Sequence, residues 1–526
     1  MNVQTDLDTL SAEQLRLLTN ELLQHIAQQE QRVAQQDKVL RERDQTIKHH
    51  KAVNEKLSYE LALLKRHRFG RHSEVLHPDQ VSLLDELIDA DIAALEEVLE
   101  QHATLTEHKP STKQSPKRTP LPAALPRTVI THEPENTHCG CGCQLRRIGE
   151  DVSEKLDYTP GIFTVERHVR GKWVCDACDT VIQAPVPAQV IDKGIPTAGL
   201  LAHVLVAKYA DHLPLYRQER IFERAGHAIP RTTLAEWVGR CGVELQPLVD
   251  ALSDTLRQEA ILHADETPVP MLAPGKKKTH QAYIWAFAST QTSDVPGVVY
   301  TFAESRAGKH ARAFLHDWQG QLVCDDFSGY KASFDQGITE IACWAHARRK
   351  FYELYETKQS PIAQQALEYI RQLYAIEAEA KTLSIEQRQV LRQSQASPII
   401  DGFYHWLVAQ RQRVPKGTVT AKAIDYTLKR WPALIRYLED GAVPIDNNWV
   451  ENQIRPWALG RSNWLFAGSL RSGQRAAAVM SLVQSARING HDPYAYLKDV
   501  LTRLPTQKAS AIDELLPHNW VAADKR

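Results

Sequence analysis

The sequence predicts a multidomain α/β protein in which helical regions flank one domain of mixed strands and helices. Three observations carry this prediction. Residues 10–64 contain neither Gly nor Pro and are rich in Gln, Glu, Leu and Lys, as in a long helix. Five of the eight cysteines lie between residues 139 and 178, as in a metal-binding segment. From residue 260 onward, short apolar segments typical of strands alternate with helical ones.

The composition is that of an ordinary globular chain, and 526 residues are enough for three or more domains. No apolar run reaches the ~18 residues that a membrane span needs, and the first residues lack a signal-peptide pattern. We therefore expect a cytoplasmic protein with no membrane partner. A net charge of −1 does not indicate a nucleic-acid binder, so any contact with DNA must be local.

The N-terminal region, residues 1–107, repeats a seven-residue pattern that predicts one edge of a coiled-coil seam. This edge comprises Ile26, Val33, Leu40, Ile47, Asn54 and Leu61. Asn54 would fix the register, and the coiled coil would make the protein a homo-oligomer. The other edge is mostly polar, with Gln29, Gln36, Arg43 and His50 before Leu57 and Leu64. A solvated or intramolecular helix therefore remains the alternative.

Two charged segments end this region. KRHRFGRHSE at 65–74 is either a contact with the DNA backbone or a basic turn between helices. Residues 81–100 predict an acidic amphipathic helix with Leu84, Ile88, Leu95 and Leu99 near one face. The Pro-, Lys- and Ser-rich segment at 108–130 is typical of a flexible linker.

Residues 131–190 have the cysteine spacing of a zinc ribbon. CDAC supplies Cys175 and Cys178 as one ligand pair for structural Zn²⁺. CGCGC offers Cys139, Cys141 and Cys143 for the other pair, with Cys139 and either of the two others favoured, and His138 stands beside them. Partly alternating apolar residues between the two groups predict strands. Free structural thiols or a redox pair are the alternative.

Residues 191–255 predict a helical region that resembles a helix-turn-helix. After an apolar helix at 198–211, LYRQERIFERAG and RTTLAEWVGRCG read as two helices joined by HAIP, with Gly226 ending the first and Pro230 starting the second. The first turn of the second helix carries the candidate DNA-binding residues Arg231, Thr232 and Thr233. Its inward face would be Leu234, Trp237 and Val238. An ordinary helical hairpin is the alternative.

Residues 256–475 contain two acidic motifs at predicted strand ends. The segment 260–272 predicts a short apolar strand that leads into a polar tip. Further strands are predicted at 281–289 and 297–305, then a helix at 310–318, a strand at 320–330 and a strand passing into a basic helix at 340–355. HADET puts Asp265 at the end of the first strand, and CDDFSGY puts Asp325 at the end of the fourth. Central strands of such a sheet are neighbours, so the two carboxylates are expected side by side. Residues 355–440 predict a helical framework.

A third acidic motif, NNWVENQIRP at 447–456, predicts a helix with Asp446 as its N-cap. Glu451 lies on this helix, with Asn447 and Arg455 four residues to either side on the same face. If Asp265, Asp325 and Glu451 meet, they form a site for two Mg²⁺ or Mn²⁺ ions, as in enzymes that cut phosphodiester bonds. A zinc hydrolase using His263, Asp265 and Glu266 is a rival interpretation.

In their order along the chain, these motifs resemble a known family. HADET, ACWAHARRKF (342–351), PIDNNWVEN and ALGRSNWLFAGS (458–469) are similar to the large DDE-type transposase of bacterial insertion-sequence 66 elements, and LRRIGEDVSEKLDYTP (145–160) resembles its zinc-binding segment. The similarity runs from about residue 20 to about 510. It implies a ribonuclease-H-like catalytic domain with a helical insertion at about 355–440, followed by a helical tail at 476–526. The chain departs from the family in its first cysteine knuckle and in having Asp326 where Gly usually follows the second Asp, so Asp325 is favoured over Asp326 by its place in the motif.

The resemblance implies a metal triad of Asp265, Asp325 and Glu451, which cleaves the ends of the element and joins them to target DNA. His346, Arg348, Arg349 and Arg455 are candidates to hold phosphates or orient the site, although His346 suits a structural role equally well. The expected partners are element and target DNA, further copies of the chain and accessory proteins encoded by the same element. A non-catalytic DNA-binding repressor that keeps the fold is the alternative function.

Overall fold

The computed structural model describes residues 121–123, 125–134, 138, 144–159, 161–273 and 278–522, and scattered residues between 29 and 98. The chain forms two compact units, one of residues 1–71 with 95–113 and one of residues 72–94 with 114–526. In the first unit, the described residues between 29 and 61 are all helical, as the sequence predicts. Ile26, Val33 and Leu40 of the seam fall outside the described residues, and the coiled coil stays a prediction.

The second unit contains almost all of the described structure. The segment 65–74 is outside the described part, and of the acidic segment 81–100 only residues 91, 92, 94–96 and 98 are described, all of them helical. None of the described helices is both long and apolar enough to cross a membrane.

A four-stranded sheet begins the continuous part of this unit. Its strands are β1 (Arg127–His132), β2 (Arg146–Thr159), β3 (Ile162–Val174) and β4 (Val181–Gln183). β3 pairs with β1 in parallel and with β2 and β4 in antiparallel fashion. Tyr158, Phe163 and Val165 are buried, because alternate side chains of β2 and β3 point towards the helices that follow. The strands predicted between the two cysteine groups are confirmed.

Four helices follow this sheet, and the first of them packs on β2. They are α1 (Ala198–Tyr209), α2 (Leu215–Arg224), α3 (Arg231–Glu244) and α4 (Gln246–Leu256). Gly226 has a φ of +95°, which glycine adopts easily, and it follows the end of α2. Pro230 is the N-cap of α3, and Leu234, Trp237 and Val238 are buried. The predicted pair of helices with a short break is confirmed.

A five-stranded mixed sheet forms the centre of the unit. Its strands are β5 (Ile261–Met271), β6 (His280–Ser289), β7 (Val298–Ala303), β8 (Gln321–Cys324) and β9 (Thr339–Ala342). Their order is β7-β6-β5-β8-β9, with β5, β6 and β7 antiparallel and β8 and β9 parallel to β5. α5 (Lys309–Leu315) connects β7 to β8, and the short α6 (Lys331–Phe334) precedes β9. Each predicted strand is present, but β8 ends at Cys324, and Ser328–Tyr330 of the segment predicted as strand form a short 3-10 helix.

Helices make up the rest of the chain, including the predicted framework at 355–440. They are α7 (Trp344–Lys358), α8 (Pro361–Ala380), α9 (Ile385–Leu391), α10 (Ser397–Arg413), α11 (Val419–Lys429), α12 (Trp431–Ile435), α13 (Asn448–Trp464), α14 (Leu470–Ile488) and α15 (Pro493–Arg503). α13 begins one residue later than predicted, with Asn447 rather than Asp446 as its N-cap. Asp446 Oδ1 still accepts a hydrogen bond from the Asn448 N–H at 3.0 Å.

The mixed sheet separates two hydrophobic cores. One lies between the sheet, α14 and the first four helices, and includes Leu262, Ala264 and Leu322. The other lies beneath α7 and the helical insertion, and includes Ile261 and Val323. Successive residues of β5 and β8 thus face opposite cores, as strand geometry requires. This alternation fixes the direction in which each acidic residue of β5 points.

Candidate active site

Asp265 and Asp325 come from neighbouring parallel strands. In the register of β5 and β8, Leu262 lies opposite Leu322 and His263 opposite Val323, so Asp265 and Asp325 are the pair two residues further on. Because side chains alternate along a strand, Asp265 points to the same face of the sheet as Ile261, towards the core under α7. It lies inside β5 rather than at its end, because antiparallel pairing with β6 carries the strand on to Met271. Only the parallel pairing with β8 ends before it.

Glu451 lies in the first turn of α13, which packs against β5. Its Oε1 is buried and accepts no hydrogen bond within the described part of the chain. His346 Nε2 lies 3.8 Å from Oε1, and Arg349 Nη2 lies 3.8 Å from Oε2. Two of the predicted supporting residues on α7 therefore stand beside the third carboxylate.

The charges of Asp325 and Glu451 both act on Asp265. Burial, together with the charges of Glu266, Glu451 and Asp325, raises the pKa of Asp265 to about 8. Burial also lowers the pKa of His346, although Glu451 and Asp325 oppose that effect. Because like charges converge on Asp265, the site favours a proton or a bound cation there.

The two successive aspartates of CDDFSGY have different partners. Asp326 Oδ1 accepts a hydrogen bond from Arg430 Nη1 at 2.5 Å, and Arg430 also pairs with Glu340 at 2.7 Å. Asp325 Oδ1 accepts the Phe327 N–H at 2.9 Å, and no described cation forms an ion pair with this carboxylate. Asp326 is thus already neutralised by a neighbouring cation, whereas the charge of Asp325 acts on Asp265.

Glu266 lies on the opposite face of β5 and is held by two partners that the sequence analysis missed. Its Oε1 accepts from Arg306 Nε at 2.8 Å and Nη2 at 2.5 Å, and its Oε2 accepts from the Tyr330 hydroxyl at 2.8 Å. The Arg306 guanidinium also lies 4.1 Å from the centre of the Phe327 ring. Tyr330 and Phe327 belong to the CDDFSGY motif, so the sequence could have indicated that they lie near the candidate site. Arg306 lies in a loop without any motif.

Asn447 has a different role from the predicted one. Its side chain is fully buried, with Oδ1 accepting from His263 Nδ1 at 2.8 Å and Nδ2 donating to the Ala264 carbonyl at 2.9 Å. As the residue before the first turn of α13, it faces the sheet instead of sharing the face of Glu451. Since His263 and Glu266 are both bound to protein partners, the rival zinc site would have to break these contacts.

The other predicted phosphate-binding residues are at the surface. Arg455 is exposed on α13, one turn after Glu451. Arg348 is exposed on α7, with its guanidinium 5.3 Å from the centre of the Tyr352 ring. Both can reach a ligand from outside the protein.

The candidate metal and DNA residues of the earlier domains are only partly described. Cys175 is buried and Cys178 exposed in the turn between β3 and β4, whereas Cys139, Cys141 and Cys143 are not among the described residues. Over the described ranges, which include Asp265, Asp325 and Glu451, no group of three or more His, Cys, Asp or Glu side chains is close enough to hold a metal ion.

The first turn of α3 is accessible, as a DNA-binding turn must be. Thr232 is exposed, and Arg231 and Thr233 are half-buried. The Arg231 N–H donates to Glu219 Oε1 at 3.0 Å, so a carboxylate from α2 caps this turn. The structure brings these three residues together at one helix end.

Comparison with known proteins identifies the family. Family models match at residues 193–475 ("Transposase IS66 family"), 481–518 ("IS66 C-terminal element"), 136–179 ("zinc-finger binding domain of transposase IS66") and 56–130 ("Transposase C of IS166 homeodomain"). The zinc-finger match supports a structural Zn²⁺ ion.

Curated relatives cover nearly the whole chain. Two uncharacterized proteins of Sinorhizobium fredii (strain NBRC 101917 / NGR234), y4jD and y4qI, are 37% and 36% identical to it. Each alignment covers 89% of this chain, with 94% of y4jD and 90% of y4qI. The predicted family is confirmed, and the chain belongs to the IS66 family of transposases.

Proposed function

We propose that this chain is an active DDE transposase whose Asp265, Asp325 and Glu451 catalyse metal-dependent DNA cleavage and strand transfer. One observation carries the proposal: Asp265 and Asp325 come from paired parallel strands, and Glu451 lies in the first turn of α13, which packs against β5. A purely structural site has no need for such an arrangement, because it costs folding free energy.

The chemistry of the three carboxylates suits a hard divalent cation, and the side chains would have to move closer together to bind one. Carboxylate oxygens are the ligands that Mg²⁺ and Mn²⁺ prefer, and buried Glu451 Oε1 has no described hydrogen-bond donor. Asp265, Asp325 and Glu451 would hold the metal, which when bound supplies an activated water or DNA 3′-hydroxyl and stabilises the leaving oxygen. Asp265 must give up its proton before it can serve as a ligand.

The surrounding cations have roles on the DNA side. Arg349, beside Glu451, and exposed Arg348 and Arg455 would pair with the phosphates that flank the scissile bond. His346 would orient Glu451 from 3.8 Å. Asn447 supports the site indirectly, by fastening the start of α13 to β5 through His263 and Ala264.

We also propose that residues 256–475 form a ribonuclease-H-like domain. The support is the mixed sheet with β5 at its centre, two antiparallel strands on one side and two parallel strands on the other. The helices at 355–440 would be an insertion between β9 with α7 and the helix that carries Glu451.

The earlier domains would bind the ends of the element. Arg231, Thr232 and Thr233 on α3 are the proposed DNA contacts. Cys175 and Cys178, with two of Cys139, Cys141 and Cys143, would hold the structural zinc ion. Two copies of the chain would pair the two ends, with accessory proteins of the same element as further partners.

Replacement of Asp265 by Asn tests the catalytic proposal. The variant should lose strand cleavage at labelled element ends in Mg²⁺ while its affinity for the same DNA changes little. The measurement uses purified full-length protein, with and without the accessory proteins. Normal cleavage by Asp265→Asn would refute the triad, and a wild-type protein that binds the ends without ever cutting them would support the repressor alternative.

Asp325→Asn and Asp326→Asn form a matched pair at the second carboxylate. We expect Asp325→Asn to abolish cleavage and Asp326→Asn to retain it, because Arg430 already neutralises Asp326. Since loss of the Arg430 contact lowers stability, both variants must be compared below their unfolding temperatures. The reverse pattern would assign Asp326 to the metal instead.

A further inference from the structure

A cleft runs from the candidate active site between α7 and α8 of the helical insertion. Its volume is about 740 Å³. The side chains that characterise it are Arg348, Arg349, Arg371, Tyr352, Tyr355 and Tyr374. None of the sequence motifs indicated that arginines and tyrosines would share one surface there.

One end of the cleft lies beside the candidate active site. Arg349 lines the cleft and also lies 3.8 Å from Glu451, and Asn448, the first residue of α13, lines it too. A chain that leaves the site past Arg349 would therefore pass directly between α7 and α8. The cleft therefore adjoins the place where the proposed reaction would occur.

The tyrosines offer ring faces at this surface. Tyr352 is 40% exposed, although a large aromatic side chain usually packs inward. The Arg348 guanidinium lies 5.3 Å from the centre of the Tyr352 ring, and the Tyr352 hydroxyl donates a hydrogen bond to Glu356 at 2.9 Å. These two contacts hold the ring in place. Tyr374 is fixed in the same way by a 2.7 Å hydrogen bond to Asp446.

The arginines provide positive charge that can be shared with a ligand. Among the described residues, Arg371 is paired only with Glu368, through two hydrogen bonds of 2.8 and 2.6 Å on the surface of α8. Such exposed pairs contribute little net stability, so the guanidinium can exchange Glu368 for a phosphate at low cost. Arg348 and Arg349 are exposed and lie on successive positions of α7.

We propose that this cleft binds an unpaired DNA strand that continues from the scissile phosphate. The arginines pair with its phosphates, and Tyr352 stacks on a base, which is the combination by which proteins hold single strands. The volume matches a small ligand, and hence a few nucleotides, rather than a duplex. This inference rests on the proposed function, whose substrate it specifies as locally unpaired DNA beside the cleavage point.

The test compares two labelled DNAs by fluorescence anisotropy: a blunt duplex of the element end and the same duplex with a short single-stranded extension. Full-length protein with the Asp265→Asn change is used, so that no DNA is cut. Tyr352→Leu should weaken binding of the extended DNA about 10-fold and leave the blunt duplex unaffected. Tyr404→Leu is the matched control, because Tyr404 is 39% exposed on α10 of the same insertion but outside the cleft.

Salt dependence separates the arginines from the tyrosines. For the extended DNA, Arg371→Gln should flatten the slope of log affinity against log salt by about 0.7, the value for one phosphate contact on a single strand. Tyr352→Leu should leave that slope unchanged. Arg413 is an exposed arginine at the end of α10, and Arg413→Gln should change neither the affinity for the extended DNA nor the salt slope.

Several outcomes would overturn the inference. Equal losses on both DNAs would mean that the cleft holds duplex, and equal losses in the Tyr404 and Arg413 controls would mean that the effect is general. Full affinity in the cleft variants would mean that no strand binds there. Failure of wild-type protein to cleave in Mg²⁺ would instead contradict the proposed function, and these binding measurements would still decide about the cleft.

Discussion

His263, two residues before Asp265, shows how burial sets a protonation state next to the candidate site. Its side chain is almost completely buried, and its only hydrogen bond among the described residues is the one from Nδ1 to Asn447. Burial lowers its pKa from 6.5 to about 4, and the Asn447 contact only partly opposes this. The folded protein therefore keeps His263 neutral at a pH where the unfolded chain is protonated.

This histidine predicts acid sensitivity of the fold. Because the folded pKa lies below the unfolded one, its contribution is fully present above about pH 6.5 and is lost as the pH falls towards 4. The loss of this contribution lowers the free energy of unfolding by an amount on the order of 3 kcal/mol. We expect His263→Gln to flatten the fall of melting temperature between pH 6.5 and 4. An identical pH profile in wild type and variant would contradict this account.

Single residues were the hardest feature to predict from the sequence. Spacing assigned Asn447 to the same face as Glu451, but its backbone lies outside the helix and its amide faces the sheet. Arg306 has no motif around it, and its contact with Glu266 depends on the loop after β7. Such contacts depend on where elements meet in space, which local patterns do not encode.

Elements were much more predictable, because their apolar periodicity is local. All five strands of the mixed sheet and the helix between β7 and β8 lie where alternation and turn residues indicated. One difference concerns Asp265, which lies inside β5 rather than at its end, because β6 pairs with this strand as far as Met271. The sequence of one strand does not indicate how many of its residues will pair with the neighbouring strand.

The cysteine turn between β3 and β4 makes a prediction at this scale. The Cys175 N–H donates to the Thr180 carbonyl at 3.0 Å, and the Asp179 N–H donates to the Cys175 carbonyl at 2.8 Å, so the backbone turns tightly around both thiols. A turn of this kind can present two cysteines to one metal ion. The match to a zinc-finger model over residues 136–179 gives the same expectation.

We therefore expect purified protein to contain one zinc ion per chain, and Cys175→Ser to lose it. Metal analysis measures the stoichiometry directly, and the melting temperature should fall because metal binding contributes to folding. Cys241→Ser is the matched control, since Cys241 is equally buried but lies in α3. Zinc retained in Cys175→Ser would assign the ion to another site.

At the scale of the whole molecule, a few contacts join segments that are far apart in the sequence. Asp91, in the acidic segment before the first sheet, forms a buried ion pair of 2.7 Å with Arg475 of α14. The Ser469 hydroxyl donates a hydrogen bond to the same carboxylate. Gly242 of α3 leaves the space for Arg475, because a Cβ there would come within 2.7 Å of Arg475 Cδ. Nothing in the local sequence predicts this meeting.

Removal of one partner should be far more damaging than removal of both. Asp91→Ala leaves a buried guanidinium without its counter-charge, which costs about 3–5 kcal/mol. We expect a lower unfolding midpoint in urea and faster hydrogen exchange in α14, where Arg475 lies. Because the chain is large and its unfolding is not expected to be two-state, the exchange rates are the more direct measurement.

The double variant Asp91→Ala with Arg475→Met separates the ion pair from the packing around it. An apolar side chain of similar length removes the unpaired charge, so the double variant should be more stable than Asp91→Ala alone. That non-additive result would mean that the acidic segment is held on α14 by charge pairing. Additive losses would mean instead that the contact stabilises the unit through packing alone, and the ion pair would then have no specific part in joining the two segments.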